Sequence, residues 1–348
     1  MQTPPPASSR RLSIDVRSRL PVWGLRLIAG MIMLFMSEIV MWQNPPSRQP
    51  VDWIALYILY VMLAALLLDF VVRFQARDVA SLLLVSGAYA LIQSAVLNPG
   101  ALSNLPISLV VRGLGLQTAA AFYGLLFFVL VMRGRQPDAL QVIGALAIGL
   151  LWGAWLHWYP IQQSVAWGEV ALQTAQLYAL LFLVIIGVLF FAIGPRFRVV
   201  REKQFELVWW EQIVAIVPLF LALLIGMVQN VIPAIPLIVV VAIGAFVGWA
   251  LSYQRGGYEP SILAEMMFAA PNLITHIVLS LIFLGAGTLA YSLIQDKDSV
   301  VGVILYFLVL GFGVLWLPAA SVLIFLKYLN NRNREVVDDL GEDGEGES

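Results

Sequence analysis

The chain has no cysteine and little charge. The first absence removes disulfides, thiolate metal sites, iron–sulfur clusters and any cysteine nucleophile together. Charged residues are 12% of the 348, about half of what a soluble domain needs to cover its surface. Only two histidines occur, and no His/Asp/Glu cluster has ligand spacing, so neither a metal nor another cofactor is expected. The ~10-residue alternation of an outer-membrane barrel strand is missing as well.

What the chain has instead is hydrocarbon. Hydrophobic residues make up 61% of it, with a mean hydropathy of +0.88. Apolar runs of 18 or more residues recur from end to end, each able to cross a ~30 Å hydrocarbon core as a helix. The reading is an all-α, polytopic integral membrane bundle of about ten transmembrane helices. The spans predicted are 22–43, 52–73, 79–97, 106–132, 138–158, 170–194, 212–230, 235–253, 272–294 and 300–327. Local chemistry fixes several ends. Pro45 and Pro46 stop the first helix, Asn98-Pro99-Gly100 the third, and Asn230 with Pro233 and Pro236 turns the seventh into the eighth.

Residues 1–20 form a basic segment, 21–329 the helical domain and 330–348 an acidic tail expected to be disordered. The net charge of −1 conceals this partition: Glu335–Ser348 carries seven acids and no base, leaving +6 for the rest, as suits a protein facing anionic lipid. The first apolar run is too long for a signal-peptide core and has no small-residue cleavage site, so it is expected to stay as a helix.

Lysines and arginines alternate with the spans. Arg10, Arg11, Arg17, Arg19, Arg73, Arg77, Arg133, Arg135, Arg196, Arg198, Arg201, Lys203, Arg255, Lys327, Arg332 and Arg334 fall on one side, with Arg26 just inside it. Arg48 and Lys297 fall on the other, and Arg112 lies within a helix. The positive-inside rule puts both termini in the cytoplasm, and the cell membrane is the expected location. Tryptophans are expected at both interfaces: Trp42, Trp53, Trp152, Trp155, Trp158 and Trp167 outside, Trp23, Trp209, Trp210 and Trp249 inside. Pro260–Ala270 is expected to lie along the inner interface, with Ile262, Leu263, Met266 and Met267 against lipid.

Ionisable groups inside a membrane cost ~2.5–3.5 kcal/mol on insertion scales, so each needs a reason. Glu38 and Arg112 lie at one depth, a few residues below the outer surface, and are expected to pair. A guanidinium suits a carboxylate because it can grip it through two hydrogen bonds. Gln93, Gln117, Gln173 and Gln176 join them as a candidate ligand or ion site; His157 and Gln229 lie in the same layer. An internal salt bridge with amides as interhelical glue is the structural alternative. Asp69 and Arg73 form an i,i+4 pair expected at a solvated helix end, and Glu265 is expected to be exposed. His157 and His276 fall at opposite membrane faces, more than about 20 Å apart given the ~30 Å core, too far to hold one haem.

Gly149/Gly153 and Gly244/Gly248 are Gly-xxx-Gly pairs that allow close helix approach. Leu116-Gln117-Thr118-Ala119 recurs as Leu172-Gln173-Thr174-Ala175, at a different depth, as chance similarity in a Leu/Ala-rich chain. No Gly-x-Ser-x-Gly elbow, phosphate-cradling loop or intramembrane acidic pair occurs, which lowers the case for an enzyme without removing it. Ten spans and a sparse polar layer fit a small transporter acting on a small-molecule substrate. A non-catalytic subunit of a larger membrane complex is the alternative, and a lipid-modifying enzyme the third. The partners expected are the lipid bilayer and possible other membrane subunits, with no nucleic acid. A transporter should enclose a polar cavity reaching mid-membrane; a scaffold should be packed solid, with an apolar groove on its flank.

Overall fold

The computed structural model describes residues 16–43, 45–134, 137–162, 171–193, 200–254, 260–266, 272–294 and 300–342. Ten helices follow one another: α1 (Val16–Leu34), α2 (Pro50–Arg73), α3 (Val79–Val96), α4 (Thr118–Met132), α5 (Ala139–Gln162), α6 (Leu172–Ile193), α7 (Trp209–Val228), α8 (Ala234–Ser252), α9 (Leu273–Leu293) and α10 (Val300–Glu342). Two π-helical segments lengthen the first and fourth, Phe35–Val40 after α1 and Leu109–Gln117 before α4. Ten stretches are long and apolar enough to cross a membrane, and each lies within three residues of the span predicted for it. Residues 1–15 and 343–348, with Arg135, Trp167, Arg196, Arg198, Arg255, Met267 and Lys297, lie outside the described residues.

The ends form where side chains can satisfy free backbone groups. Asp78 caps α3 by accepting the Ser81 N–H at 2.8 Å, and Asn272 caps α9 by accepting from Ile274 and Thr275. Pro50 opens α2, where a missing N–H is harmless, and Asp52 reaches back to the Gln49 N–H at 2.8 Å. Asn230 takes a left-handed φ of 56° between α7 and α8, which asparagine tolerates. α10 differs from expectation at its far end: it runs on as helix to Glu342, past the boundary at 330. No glycine or proline interrupts it between Pro318 and Gly341.

Successive helices run in opposite directions, as the cross-links at the two ends require. At one end Arg19 donates to the Gln204 carbonyl, Ile262 N–H to Ala76, Asn272 N–H to Val131, and Lys327 pairs with Asp78. This end also holds Arg73, Arg133, Arg201 and Lys203, and we call it the basic end. At the other, Arg48 meets Glu38, Trp155 donates to the Met41 carbonyl, and His157 stacks on Tyr291 at 4.0 Å. His276 lies fifteen residues from Tyr291 along α9, or ~22 Å at helical rise, so the two histidines sit toward opposite ends.

The interior belongs to the first four spans. The first is 72% buried along its apolar window and the tenth only 11%, so α10 is a peripheral helix. Glycines set the tightest crossings. A Cβ on Gly149 or Gly153 of α5 would overlap the Phe283 or Gly287 carbonyl oxygen of α9, which confirms the first Gly-xxx-Gly pair as packing. Gly244 and Gly248 face open space. Gly313 of α10 packs on the Val110 carbonyl and Trp316 donates to the Leu114 carbonyl at 2.7 Å, so the segment beside Pro318 is fixed to the Leu109–Gln117 turn.

Trp42, Trp152 and Trp155 are buried in protein; Trp152 and Trp155 donate to the Ile39 and Met41 carbonyls. One expectation is corrected at this level. The 260–270 stretch contains a short 3-10 turn, Ile262–Met266, whose Leu263 and Met266 are buried inside the bundle and not laid on lipid. Its Glu265 bridges Arg133 at 3.2 Å.

Candidate functional site

Glu38 lies inside the Phe35–Val40 π segment and is 2% exposed. One more residue per turn than an α-helix accommodates re-aims the side chains of such a segment, and these bulges recur at functional positions. The carboxylate accepts a hydrogen bond from Tyr60 Oη of α2 at 2.7 Å, and Tyr60 in turn accepts from Gln93 Nε2 of α3 at 3.1 Å. Its cation is Arg48, from the connection between α1 and α2. The Arg48 guanidinium also stands over the Trp53 ring, 5.5 Å from its centre, and its side chain is 22% exposed. Trp42, just past the π segment, holds a left-handed φ of 49°, a conformation unfavourable for a bulky residue, and so turns the chain back toward Arg48.

The expected Glu38–Arg112 pair is therefore corrected: the carboxylate belongs to Arg48 and Tyr60. Arg112 is directed elsewhere. It lies in the other π segment, and its Nη1 stands beside Gly100, where an added Cβ would come within 3.0 Å of it. Of the glutamines, Gln93 joins the Glu38 centre, and Gln117 is buried on the Leu109–Gln117 segment. Gln176 donates instead to Thr288 of α9 at 2.7 Å, and Gln173 is exposed. The two Leu-Gln-Thr-Ala stretches thus have unlike surroundings.

The polar character continues along α3. Ser86, Gln93 and Ser94 are buried, and Ser86 Oγ, Gln93 Oε1 and Ser94 Oγ have no hydrogen-bond partner among the described residues; Gln117 Oε1 on the adjoining segment is in the same condition. Ser86 and Gln93 are two turns apart on one face, so this file runs ~10 Å from Glu38's neighbour toward the middle of the helix. Chemically, the arrangement is a buried carboxylate held by a phenol and by a partly exposed guanidinium, with further buried polar atoms along α3 that have no partner among the described residues.

A second ionic centre, at the basic end, was not found from sequence. Glu211 of α7 and Arg26 of α1 are both 0% exposed and meet at 2.9 Å. Trp23 Nε1 donates to the same carboxylate at 2.9 Å and the Val208 N–H at 3.1 Å, while Arg26 also reaches the Phe205 carbonyl at 3.2 Å. Asp69, expected at a solvated end, is buried; it holds Arg73 at 3.0 Å and accepts the Leu207 N–H at 2.8 Å. Together they fasten the 201–208 connection across α1 and α2. The available signal was Glu211 itself, a lone acid opening an apolar run where bases prevail.

No three His, Asp or Glu side chains gather as metal ligands would among the described residues. No protein-family model matches the chain, and neither a curated protein nor a solved structure matches it.

Proposed function

We propose that this chain is a small membrane carrier whose working group is the Glu38 carboxylate. The observation that carries the reading is the origin of its cation. A purely structural pair would be locked on both sides, as Arg26 and Glu211 are; Arg48 comes from a partly exposed connection, so it can leave the carboxylate without unpacking a helix. Withdrawal of Arg48 would expose a carboxylate able to take a proton or a cationic solute, with the α3 polar file leading inward. On this reading the basic end faces the cytoplasm, both termini lie there, the membrane is the cell membrane, and Glu38 opens outward.

The test is electrical. Protein reconstituted into liposomes on a solid support would be challenged with jumps of pH, alkali cations, and a panel of organic cations and anions. At least one solute should evoke a transient current that Glu38→Gln abolishes while the protein still folds. Silence across the panel, or currents indifferent to Glu38→Gln, would overturn the carrier reading. A second reading, a subunit of a larger membrane complex, is favoured by the thin burial of α7 and α10, 17% and 11% of their windows, and by an apolar groove of about 430 Å³ on the flank between α6 and α9. It expects the chain to leave gently solubilised native membranes with other chains attached.

A further inference from the structure

Arg48 shows by its contacts what kind of cation the Glu38 site accommodates. Its guanidinium donates from Nη2 to Glu38 Oε2 and stands over the Trp53 ring, 5.5 Å from the ring centre. A buried carboxylate and an aromatic face together suit a planar, weakly hydrated cation. Tyr178 and Phe182 of α6 pack on Trp53, with ring centres 6.4 and 5.2 Å away, and Trp42 meets Tyr178 edge-on at 6.2 Å. The carboxylate and the aromatic face therefore belong to the helical bundle, whereas the guanidinium comes from the connection between α1 and α2.

The polarity of the hydrogen bonds narrows the class of occupant. Tyr60 turns its O–H toward Glu38 Oε1 at 2.7 Å, and its oxygen accepts from Gln93 Nε2 at 3.1 Å. Both neighbours thus present hydrogens, and they offer a bare metal ion little of the oxygen shell it needs. A proton would neutralise Glu38 and leave the Trp53 face without a cation. A simple ammonium holds its water more tightly and does not stack. A guanidinium meets every feature: one positive charge, N–H groups for Oε2 and a flat face for the indole.

We infer that the Glu38 site takes a guanidinium-bearing solute, which displaces Arg48 and repeats its contacts with Glu38 Oε2 and Trp53. The inference rests on the carrier reading, in which Arg48 withdraws and Glu38 is the working group. Pro46, Ser47 and Gln49, which flank Arg48 in sequence, are exposed, so the site opens at the surface of this end of the bundle. Arg48 then acts as a tethered competitor that keeps the buried carboxylate neutralised between one solute and the next.

The probe is methylguanidinium chloride at millimolar concentration, added to the full chain in detergent while the thermal midpoint is followed. Urea is the control for shape without charge, potassium chloride for charge without N–H donors, and methylammonium chloride for a charge that does not stack. Methylguanidinium should raise the midpoint saturably, methylammonium less, and urea and potassium chloride not at all. Glu38→Gln should abolish the shift. Arg48→Gln should bind the probe at least about tenfold more tightly than wild type, since the native site is open only in the fraction from which Arg48 has withdrawn. Trp53→Leu should weaken binding about two- to fivefold and Trp53→Phe less, as a partly exposed cation–π contact implies. The Trp53 variants keep Arg48 in place, so they decide the matter even where Arg48→Gln does not fold. An equal shift from urea or potassium chloride, a shift that survives Glu38→Gln, or an affinity indifferent to Arg48→Gln would overturn the assignment. Saturable binding with no transient current in liposomes would uphold the ligand class and sink the carrier reading. Currents evoked by protons or alkali cations, with no binding of methylguanidinium, would do the reverse.

Discussion

Arg26 and Glu211 are the most completely buried opposite charges among the described residues, and their surroundings explain how the membrane bundle tolerates them. The Glu211 oxygens meet donors from Arg26, Trp23 and the Val208 N–H, which offset much of the carboxylate's desolvation, while Arg26 Nε has no partner among the described residues. Breaking one side is then much worse than removing both. Glu211→Gln should destabilise the detergent-solubilised protein by about 3–5 kcal/mol, read from its thermal transition, because Arg26 keeps its charge in a dry site. Arg26→Met with Glu211→Leu should cost far less; an equal loss would mean that the cluster acts through hydrogen bonds to the 201–208 backbone. Asp78 works in the opposite regime, near water. Burial tends to raise its pKa, but the Ser81 N–H and Lys327 outweigh burial and hold it below the ordinary carboxylate value. A depressed folded-state pKa stabilises above the unfolded value and loses that contribution only as pH falls through the folded one. The Asp78–Lys327 tie should therefore persist unchanged from pH 8 to pH 5. Asp78→Asn should lower the thermal midpoint in that window and converge with wild type in stronger acid.

At the scale of helices, two Gly-xxx-Gly pairs that look alike in sequence have different environments. Gly149 and Gly153 let α5 touch the backbone of α9, while Gly244 and Gly248 of α8 face nothing. Gly153→Leu should prevent stable folding or lower the midpoint steeply, since backbone atoms must move apart. Gly244→Leu should be neutral or slightly stabilising, through a gain of up to ~1 kcal/mol in helix propensity. If Gly244→Leu is as damaging as Gly153→Leu, α8 packs on a partner chain. The same contrast marks the limit of sequence reading. The number of spans and their ends along the chain were legible, because apolar runs and Pro, Asn and Gly punctuation fix them to within three residues. Direction around a helix axis was not. Counting from the span ends puts Glu38 and Arg112 at one depth, but both lie in π segments that break the regular 100° step, so the count does not identify Arg48 as the partner. Gln117 and Gln173 occupy the same tetrapeptide, one buried and one exposed, and nothing within those four residues separates them.

Across the whole molecule the basic side chains define its polarity. Arg19, Arg73, Arg133, Arg201, Lys203 and Lys327 gather at one end with Glu206, Glu265 and Asp78, while Arg48 is held at the other by Glu38. Anionic lipid and the membrane potential favour keeping such an excess in the cytoplasm, so the basic end should face inward. The complete lack of cysteine makes this directly measurable, since any thiol introduced is the only one. Ser103 lies exposed beside the turn that follows α3, at the Glu38 end, and Lys203 lies exposed in the connection before α7, at the basic end. In intact cells a membrane-impermeant maleimide should label Ser103→Cys and spare Lys203→Cys; after permeabilisation both should react. The reverse pattern would invert the bundle and turn the Glu38 centre toward the cytoplasm, leaving its internal geometry intact. Labelling of both sites in intact cells would be more damaging, because it would place the two ends on one side of the membrane and break the alternation of all ten spans.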